Sequence, residues 1–253
     1  MGRPGRELLN SQLRRLQNDL RIDFTIANIE NAASGFGVTK KVYDELTYLA
    51  IDAFTGGNHI YDKKDVIPLF ETLEKVIRPL NFPPGNPGRG YRIFTVKGRP
   101  IAVVNLIGRV FMALSDCPFR GVDAVLPEIQ KLTPLIFVDM HAEATSEKIA
   151  MGWHLDGRVS AVFGTHTHVM TADQRILDRG TAYATDLGMV GAYDSVLGME
   201  RDPIIQKFLT QFPVKFEPVK RPSEVIFNAI MVTVNPDTGK ALSIEGVQRR
   251  YNL

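Results

Sequence analysis

The chain has 253 residues, 44% of them hydrophobic and 23% charged, with a formal net charge of +2 at pH 7. This composition is typical of a globular protein with a sizeable core and excludes an intrinsically disordered chain. The near-neutral charge, without a long basic run, gives no reason to expect a nucleic-acid or membrane partner. A single cysteine, Cys117, excludes an internal disulfide framework. No apolar run is long enough to span a membrane, and no signal core follows the N-terminus, so we expect a cytoplasmic protein.

The first half of the chain alternates helical and extended patterns. Leucines at helical spacing predict a helix over residues 6–20, and an apolar run over residues 24–29 predicts a buried strand. The following elements are a helix over residues 39–50 with Thr39 as N-cap, a strand over 51–55, a helix between 64 and 76 and a loop over 81–90.

The second half begins with a predicted hairpin, whose strands cover residues 91–96 and 101–107 around a Lys97-Gly98 turn. Further along we predict helices over 122–132 and 146–153 and strands over 135–138, 159–163, 181–185, 224–234 and 241–251. The alternation followed by antiparallel strands predicts one α/β domain over residues 1–253, a layered sandwich of central mixed β-sheets flanked by helices.

Polar residues of metal-binding type follow four of the predicted strands. They are Glu30, Asn31, Asn58, His59, His141, His166 and His168. Taken singly, each has an ordinary explanation as a loop, turn or surface residue, but ligand sites form at the carboxyl ends of strands in open α/β sheets. In an extended segment, His166 and His168 would project to the same side. Imidazole with carboxylate and amide oxygens favours Zn, Mn or Fe over Ca or Mg.

Five sequence blocks carry a resemblance to a known family. They are residues 28–33 (NIENAA), 56–64 (GGNHIYDKK), 139–148 (DMHAEATSEK), 164–169 (GTHTHV) and 185–189 (TDLGM). Together they resemble the bacterial YmdB-like family of the calcineurin-like metallophosphoesterase superfamily, over nearly the whole chain. The resemblance implies the fold of that superfamily.

The resemblance also implies a role for each candidate residue. Glu30 would bridge two metal ions, and Asn31 with His168 would bind the first. The second ion would be held by Asn58, His141 and His166. His59 would face the substrate phosphate, so it is the candidate catalytic residue.

The implied activity is a dinuclear-metal phosphodiesterase acting on 2′,3′- or 3′,5′-cyclic AMP. Two metal ions lower the pKa of a water molecule and supply hydroxide for in-line attack on phosphorus. His59 is suited to protonate the leaving ribose oxygen, because imidazole titrates near neutrality. The resemblance further implies iron, with manganese or zinc as alternatives, and a homo-oligomer.

The N-terminus departs from the family pattern. The family begins with a strand that carries an Asp ligand, followed by a hydrophobic residue, Gly, a small residue, Pro, Gly and Arg. Residues 1–6 (MGRPGR) match only the end of that block. We therefore expect that a first strand of roughly nine residues is missing through a misplaced start. Its loss would expose apolar surface on neighbouring strands and remove one metal ligand. The alternative to a misplaced start is a natural loss, which would leave a chain that binds one metal ion well and the other weakly.

Two other functions stay open at this point. One is a regulatory protein that binds metal or nucleotide with little turnover, and the other is a phosphomonoesterase on the same scaffold. Arg109 is a candidate for phosphate contact, although a surface role is more common for such a residue. Asp139 and Asp186 are candidate hydrogen-bond partners for ligand histidines. His154 is interpreted as structural or exposed.

Overall fold

The computed structural model describes residues 1–252 of the chain. Its helices are α1 (Gly2–Asp19), α2 (Lys40–Thr47), α3 (Pro118–Leu132), α4 (Thr145–Leu155) and α5 (Arg201–Thr210). Its strands are β1 (Ile26–Asn28), β2 (Ala53–Thr55), β3 (Val76–Ile77), β4 (Tyr91–Val96), β5 (Arg99–Ile107), β6 (Ile136–His141), β7 (Ala161–Thr165), β8 (Arg175–Ile176), β9 (Ala182–Ala184), β10 (Gly191–Ala192), β11 (Glu224–Val234) and β12 (Ala241–Asn252).

The strands form three sheets. The largest has six strands in the order β4-β5-β6-β7-β9-β8, parallel from β5 to β9 and antiparallel at both ends. A second sheet, β1-β2-β3, is parallel, and a third, β10-β11-β12, is antiparallel. The parallel pairing places the carboxyl ends of the inner strands at one edge.

Four hydrophobic clusters join these sheets into layers. One packs α1 and α2 on the two three-stranded sheets, through residues such as Leu8, Leu46 and Phe227. A second packs α3 and α4 on the six-stranded sheet. Two smaller clusters lie between the sheets, around Val103 and around Ala161. The arrangement is therefore a sandwich of mixed sheets flanked by helices, as the sequence predicts.

A cavity of about 740 Å³ lies between β1 and β11. β1 is an edge strand, and β11 pairs with β10 only through Val225 and Ile226, so residues 227–234 have no strand partner on that side within residues 1–252. Leucines of α1 and the rings of Phe137 and Phe163 line the cavity, which extends to Glu30 and His168. The two strand edges therefore face a space that reaches the candidate ligands.

Several predicted elements change in the structure. The helix predicted between residues 64 and 76 is wrong, because only a 3-10 turn over Ile67–Thr72 forms, with Pro68 near its start. The sequence predicts neither the helix α5 nor the short strands β3, β8 and β10. The N-cap prediction is confirmed, since Thr39 Oγ1 accepts the backbone N–H of Val42 at 3.2 Å. None of the helices within residues 1–252 combines the length and the hydrophobicity that a membrane span requires.

Candidate metal centre

The candidate residues meet at the carboxyl edge of the sheets. Glu30 and Asn31 follow β1, and Asn58 and His59 follow β2. β6 continues beyond the predicted strand so that His141 is its last residue, paired in register with Thr165 at the end of β7. The parallel register thus brings four separate sequence blocks to one place.

The orientation of His141 follows from its hydrogen bonds. His141 Nδ1 lies 2.8 Å from Thr165 Oγ1, and the hydroxyl of Thr165 donates its proton to Asp139 at 2.7 Å. Because Thr165 has one hydroxyl proton, it accepts from the Nδ1–H of His141. The neutral imidazole therefore presents an unprotonated Nε2 to the site.

The other two histidines are oriented by the same logic. His168 Nδ1 lies 3.0 Å from the carbonyl oxygen of Leu197, which can only accept, so His168 Nε2 carries the lone pair. His166 Nε2 lies 3.1 Å from the carboxylate of Glu143, which leaves the lone pair on His166 Nδ1. All three free ring nitrogens face the site.

Glu30 lies between two groups of these donors. Glu30 Oε1 is 3.2 Å from His141 Nε2 on one side and 3.3 Å from Asn31 Nδ2 on the other. On the first side, Asn58 Oδ1 and His166 Nδ1 are 2.9 Å and 3.1 Å from His141 Nε2. Donor atoms of Glu30, His141 and His166 all lie within 4.8 Å of one another.

The second side of Glu30 has fewer donors. Asn31 Nδ2 lies 3.0 Å from His168 Nε2. The amide of Asn31 can rotate to present its oxygen instead, so the pair offers one oxygen and one imidazole nitrogen. Glu30 thus has the central place that a bridging carboxylate requires.

Gly57 keeps the space between these donors open. A Cβ atom on Gly57 would lie 2.3 Å from both Glu30 Oε2 and His141 Nε2, closer than any real contact. Any side chain at this position would occupy the space toward which the donors point. Only glycine leaves it available to an ion.

Electrostatics around Glu30 are unusual for a buried carboxylate. Burial alone would raise the pKa of Glu30, but the charge and hydrogen bonding of His141 outweigh burial and lower the pKa to about 2. The attraction of Glu30 likewise overcomes burial at His141 and raises its pKa. Burial, together with the charge of His141, lowers the pKa of His166 to about 4. Burial also lowers the pKa of His168.

These observations fit a metal ion. His141 Nε2 lies near three acceptors: a Glu30 oxygen, the Asn58 amide oxygen and His166 Nδ1. A single proton on Nε2 could form a hydrogen bond with only one of them. A cation would satisfy the carboxylate, the amide oxygen and both imidazoles together. The mixture of nitrogen and oxygen donors suits Zn, Mn or Fe.

His59 lies beside this donor set. Its backbone N–H donates to Glu30 Oε2 at 2.9 Å, and its ring Nδ1 lies 2.7 Å from Asp62 Oδ2. The Phe36 ring packs edge-to-face against the His59 ring, with 5.1 Å between the ring centroids, and gives the imidazole a second support. With 31% of its side chain exposed, His59 can face a molecule that approaches from solvent.

The prediction of an extended His166–His168 segment is wrong. β7 ends at Thr165, and both histidines have positive φ, +98° and +65°. They converge on the site because a loop turns them there, in backbone regions that non-glycine residues rarely adopt.

Other candidates lie further from the donors. Asp139 and Asp186 contact Thr165 and Thr167 instead of histidines. The Arg109 side chain is exposed, and its backbone N–H donates to Glu147. His154 pairs with Asp123 at 3.0 Å on the surface, as the sequence analysis expects.

The model of the YmdB-like protein family matches residues 1–247. The chain belongs to the YmdB-like family. Among its relatives, the 2′,3′-cyclic-nucleotide 2′-phosphodiesterase of Bacillus subtilis is 45% identical over 247 residues, which cover 98% of this chain and 93% of that protein.

Two crystal structures of similar proteins share the YmdB-like fold. A hypothetical protein from Thermus thermophilus is 40% identical, with a TM-score of 0.91 over 99% of this chain and 96% of that one. A novel phosphatase of Mycoplasma pneumoniae is 31% identical, with a TM-score of 0.93 over 99% of this chain and 90% of that one.

Sequence reasoning missed the residues that orient the YmdB-like donor set. Thr165, Glu143 and Asp62 each contact a candidate histidine, and each lies one to three residues from a candidate in the sequence. Their presence inside the matched blocks is a signal that could have pointed to them. The carbonyl of Leu197, 29 residues from His168, has no such signal.

Proposed function

We propose that this chain is a dinuclear-metal phosphodiesterase that hydrolyses cyclic nucleotides, 2′,3′-cyclic AMP or 3′,5′-cyclic AMP. The observation that carries the proposal is the set of three imidazoles, each fixed by an acceptor so that its free nitrogen faces another member of the donor set around Glu30. The names of the relatives support a phosphoesterase.

We assign the donors to two ions on either side of Glu30. Asn58, His141 and His166 would hold one ion, and Asn31 with His168 would hold the other. When bound, two such ions supply hydroxide near neutral pH and stabilise charge on the phosphoryl oxygens. Glu30 reduces the repulsion between the two cations.

His59 performs the proton transfer in this proposal. The carboxylate of Asp62 accepts a hydrogen bond from His59 Nδ1–H and orients the ring so that Nε2 is free. His59 Nε2 then donates a proton to the ribose oxygen as it leaves phosphorus, so the alkoxide is neutralised as it forms. Contact with Phe36 restricts the ring to one orientation.

The finer assignments belong to the same proposal. We assign iron as the first choice of metal, with manganese and zinc as alternatives, because the donors mix imidazole with oxygen. A reducing cytoplasm accords with one free cysteine, Cys117. A homo-oligomer is expected from the family resemblance.

The test is turnover of 2′,3′-cyclic AMP by metal-free protein to which Mn²⁺ is added. We expect turnover that depends on Mn²⁺ and is lost in His141→Ala. Binding of Mn²⁺ without turnover of any cyclic nucleotide would favour the regulatory function. Turnover of phosphate monoesters alone would favour the phosphomonoesterase, which the phosphatase name of the Mycoplasma relative makes a second candidate.

The role of His59 has its own test. His59→Ala should slow hydrolysis of 2′,3′-cyclic AMP by about 10²- to 10⁴-fold, because the ribose alkoxide is a poor leaving group. Hydrolysis of bis-p-nitrophenyl phosphate, whose leaving group needs no proton, should slow much less. Equal losses on both substrates would contradict the acid role.

A further inference from the structure

Two consecutive charged residues in the first turn of α4 are buried, and neither is a ligand in the proposed metal site. Glu147 is 8% exposed and Lys148 is 1% exposed. The Glu147 carboxylate accepts the backbone N–H groups of Arg109 and Val110 and so holds the loop after β5. Lys148 Nζ lies 2.7 Å from Asp186 Oδ2, in an ion pair whose partners are both 1% exposed.

Asp186 is bonded to the loop that carries two candidate ligands. Its Oδ2 accepts both the backbone N–H of Thr167, at 3.1 Å, and the Thr167 hydroxyl, at 2.7 Å. Its Oδ1 accepts the backbone N–H of Gly188 at 2.8 Å. Thr167 lies between His166 and His168, so one carboxylate fixes the middle of the loop.

A buried carboxylate needs a compensating charge, since desolvation of an unpaired ion is very unfavourable. Lys148 is that compensation. The Lys148 side chain passes close to the backbone of Gly164. A Cβ atom on Gly164 would lie 2.8 Å from Lys148 Cδ and 1.8 Å from the carbonyl oxygen of Thr185. The fold thus leaves room at Gly164 for the lysine to reach Asp186.

The loop so held is in a conformation that it would not keep alone. His166 and His168 have φ values of +98° and +65°, which non-glycine residues adopt only where the surroundings enforce them. Two backbone bonds add to the restraint, from Leu187 N to Gly164 O and from Met189 N to His168 O.

We propose that Lys148 is a positioning residue that, through Asp186 and Thr167, holds His166 and His168 in the backbone conformation that aims both imidazoles at the metal site. The inference rests on the proposed function, because the site it serves is the proposed metal centre. Lys148 itself contacts Asp186 and lies outside the donor set.

The test compares Lys148→Met with Met151→Ala, a core substitution in the same helix at a residue that is 0% exposed. Both variants should unfold at lower temperature than the wild type. Only Lys148→Met should weaken Mn²⁺ binding, by about 10- to 100-fold. In metal-free protein, only Lys148→Met should speed hydrogen exchange at the Thr167 amide.

A pair of milder variants tests the same contact if Lys148→Met fails to fold. Thr167→Val removes the hydroxyl bond to Asp186, and Thr167→Ser keeps it. We expect the amide of residue 167 to exchange faster, and Mn²⁺ to bind more weakly, in Thr167→Val. Thr167→Ser should show neither change. Unchanged exchange and unchanged binding in Lys148→Met, or in Thr167→Val, would overturn the inference. Absence of Mn²⁺ binding in the wild type would instead contradict the proposed function. The exchange measurement would still test whether Lys148 holds the loop.

Discussion

Each imidazole of the proposed metal site takes its orientation from an acceptor outside the donor set. The acceptors differ in kind: a threonine hydroxyl for His141, a carboxylate for His166 and a backbone carbonyl for His168. Each leaves one ring nitrogen unprotonated in the neutral form. At the scale of single residues, the site is therefore built by fixing tautomers as much as by placing ligands.

Gly57→Ala tests whether the space among the donors is needed. Its new methyl group would overlap Glu30 Oε2 and His141 Nε2, both 2.3 Å from the Cβ position. We expect loss of Mn²⁺ binding, measured by calorimetric titration, and loss of the thermal stabilisation that bound metal gives the wild type. Gly98→Ala is the control for substitution at a glycine, since nothing lies within 4 Å of its Cβ position. Its turn has positive φ, so its own stability falls while metal binding stays intact.

The lowered pKa of His166 predicts a pH dependence of stability. Its folded pKa of about 4 lies below the ordinary value of about 6.5, so the unfolded chain binds the proton more readily. Metal-free protein should therefore lose stability as the pH falls from 6.5 toward 4. Urea unfolding midpoints across this range should show a shallower decline in His166→Gln than in the wild type. A slope in His166→Gln equal to that of the wild type would contradict the assignment.

At the scale of elements, β7 and the loop after β9 pack closely where a glycine leaves room for the neighbouring backbone. The end of β7 and the loop after β9 approach so closely that a Cβ atom on Gly164 would lie 1.8 Å from the carbonyl oxygen of Thr185. The approach lets Asp186 reach the backbone of Thr167. Helix α4 contributes from the other side through Glu147 and Lys148.

Gly164→Ala should separate the end of β7 from the loop after β9. We expect a fall in melting temperature and weaker Mn²⁺ binding together, because the clash is with backbone that cannot move independently. Gly121→Ala in α3 is the matched control, since its nearest neighbour would be the Asn81 Cβ at an ordinary 3.6 Å. That control should gain about 0.5–1 kcal/mol of stability, because alanine favours the helix. A Gly164→Ala protein as stable as the control would disprove the close approach.

The elements that sequence predicts well are those with a strong hydrophobic period. Strand β11 is predicted with its observed bounds, and α1 and the β4–β5 hairpin differ only at their ends. Helix α5 was missed, although its apolar residues Ile204, Ile205, Phe208 and Leu209 follow a helical spacing. The candidate ligands were predictable because they follow strands directly. The positive φ of His166 and His168 was not, since it depends on tertiary bonds to Asp186 and Leu197.

At the scale of the whole molecule, the layers meet around the cavity between β1 and β11. The two open strand edges face a space of about 740 Å³ with a largely apolar lining. Charged residues, including Lys97 and Arg99, are among those that line it. Charges near an exposed edge oppose pairing with another chain.

Open edges have a consequence for behaviour at high concentration. Unpaired N–H and C=O groups on β11 can template strands of a second molecule, so we expect self-association that grows with protein concentration in static light scattering. Ile230→Lys would place a charge on this edge and should reduce the association. Leu132→Lys, at an exposed position of α3, is the control for added charge away from a strand edge. If both variants scatter alike, added charge alone governs the association. If only Ile230→Lys suppresses it, the unpaired edge of β11 limits the concentration at which the protein can be stored.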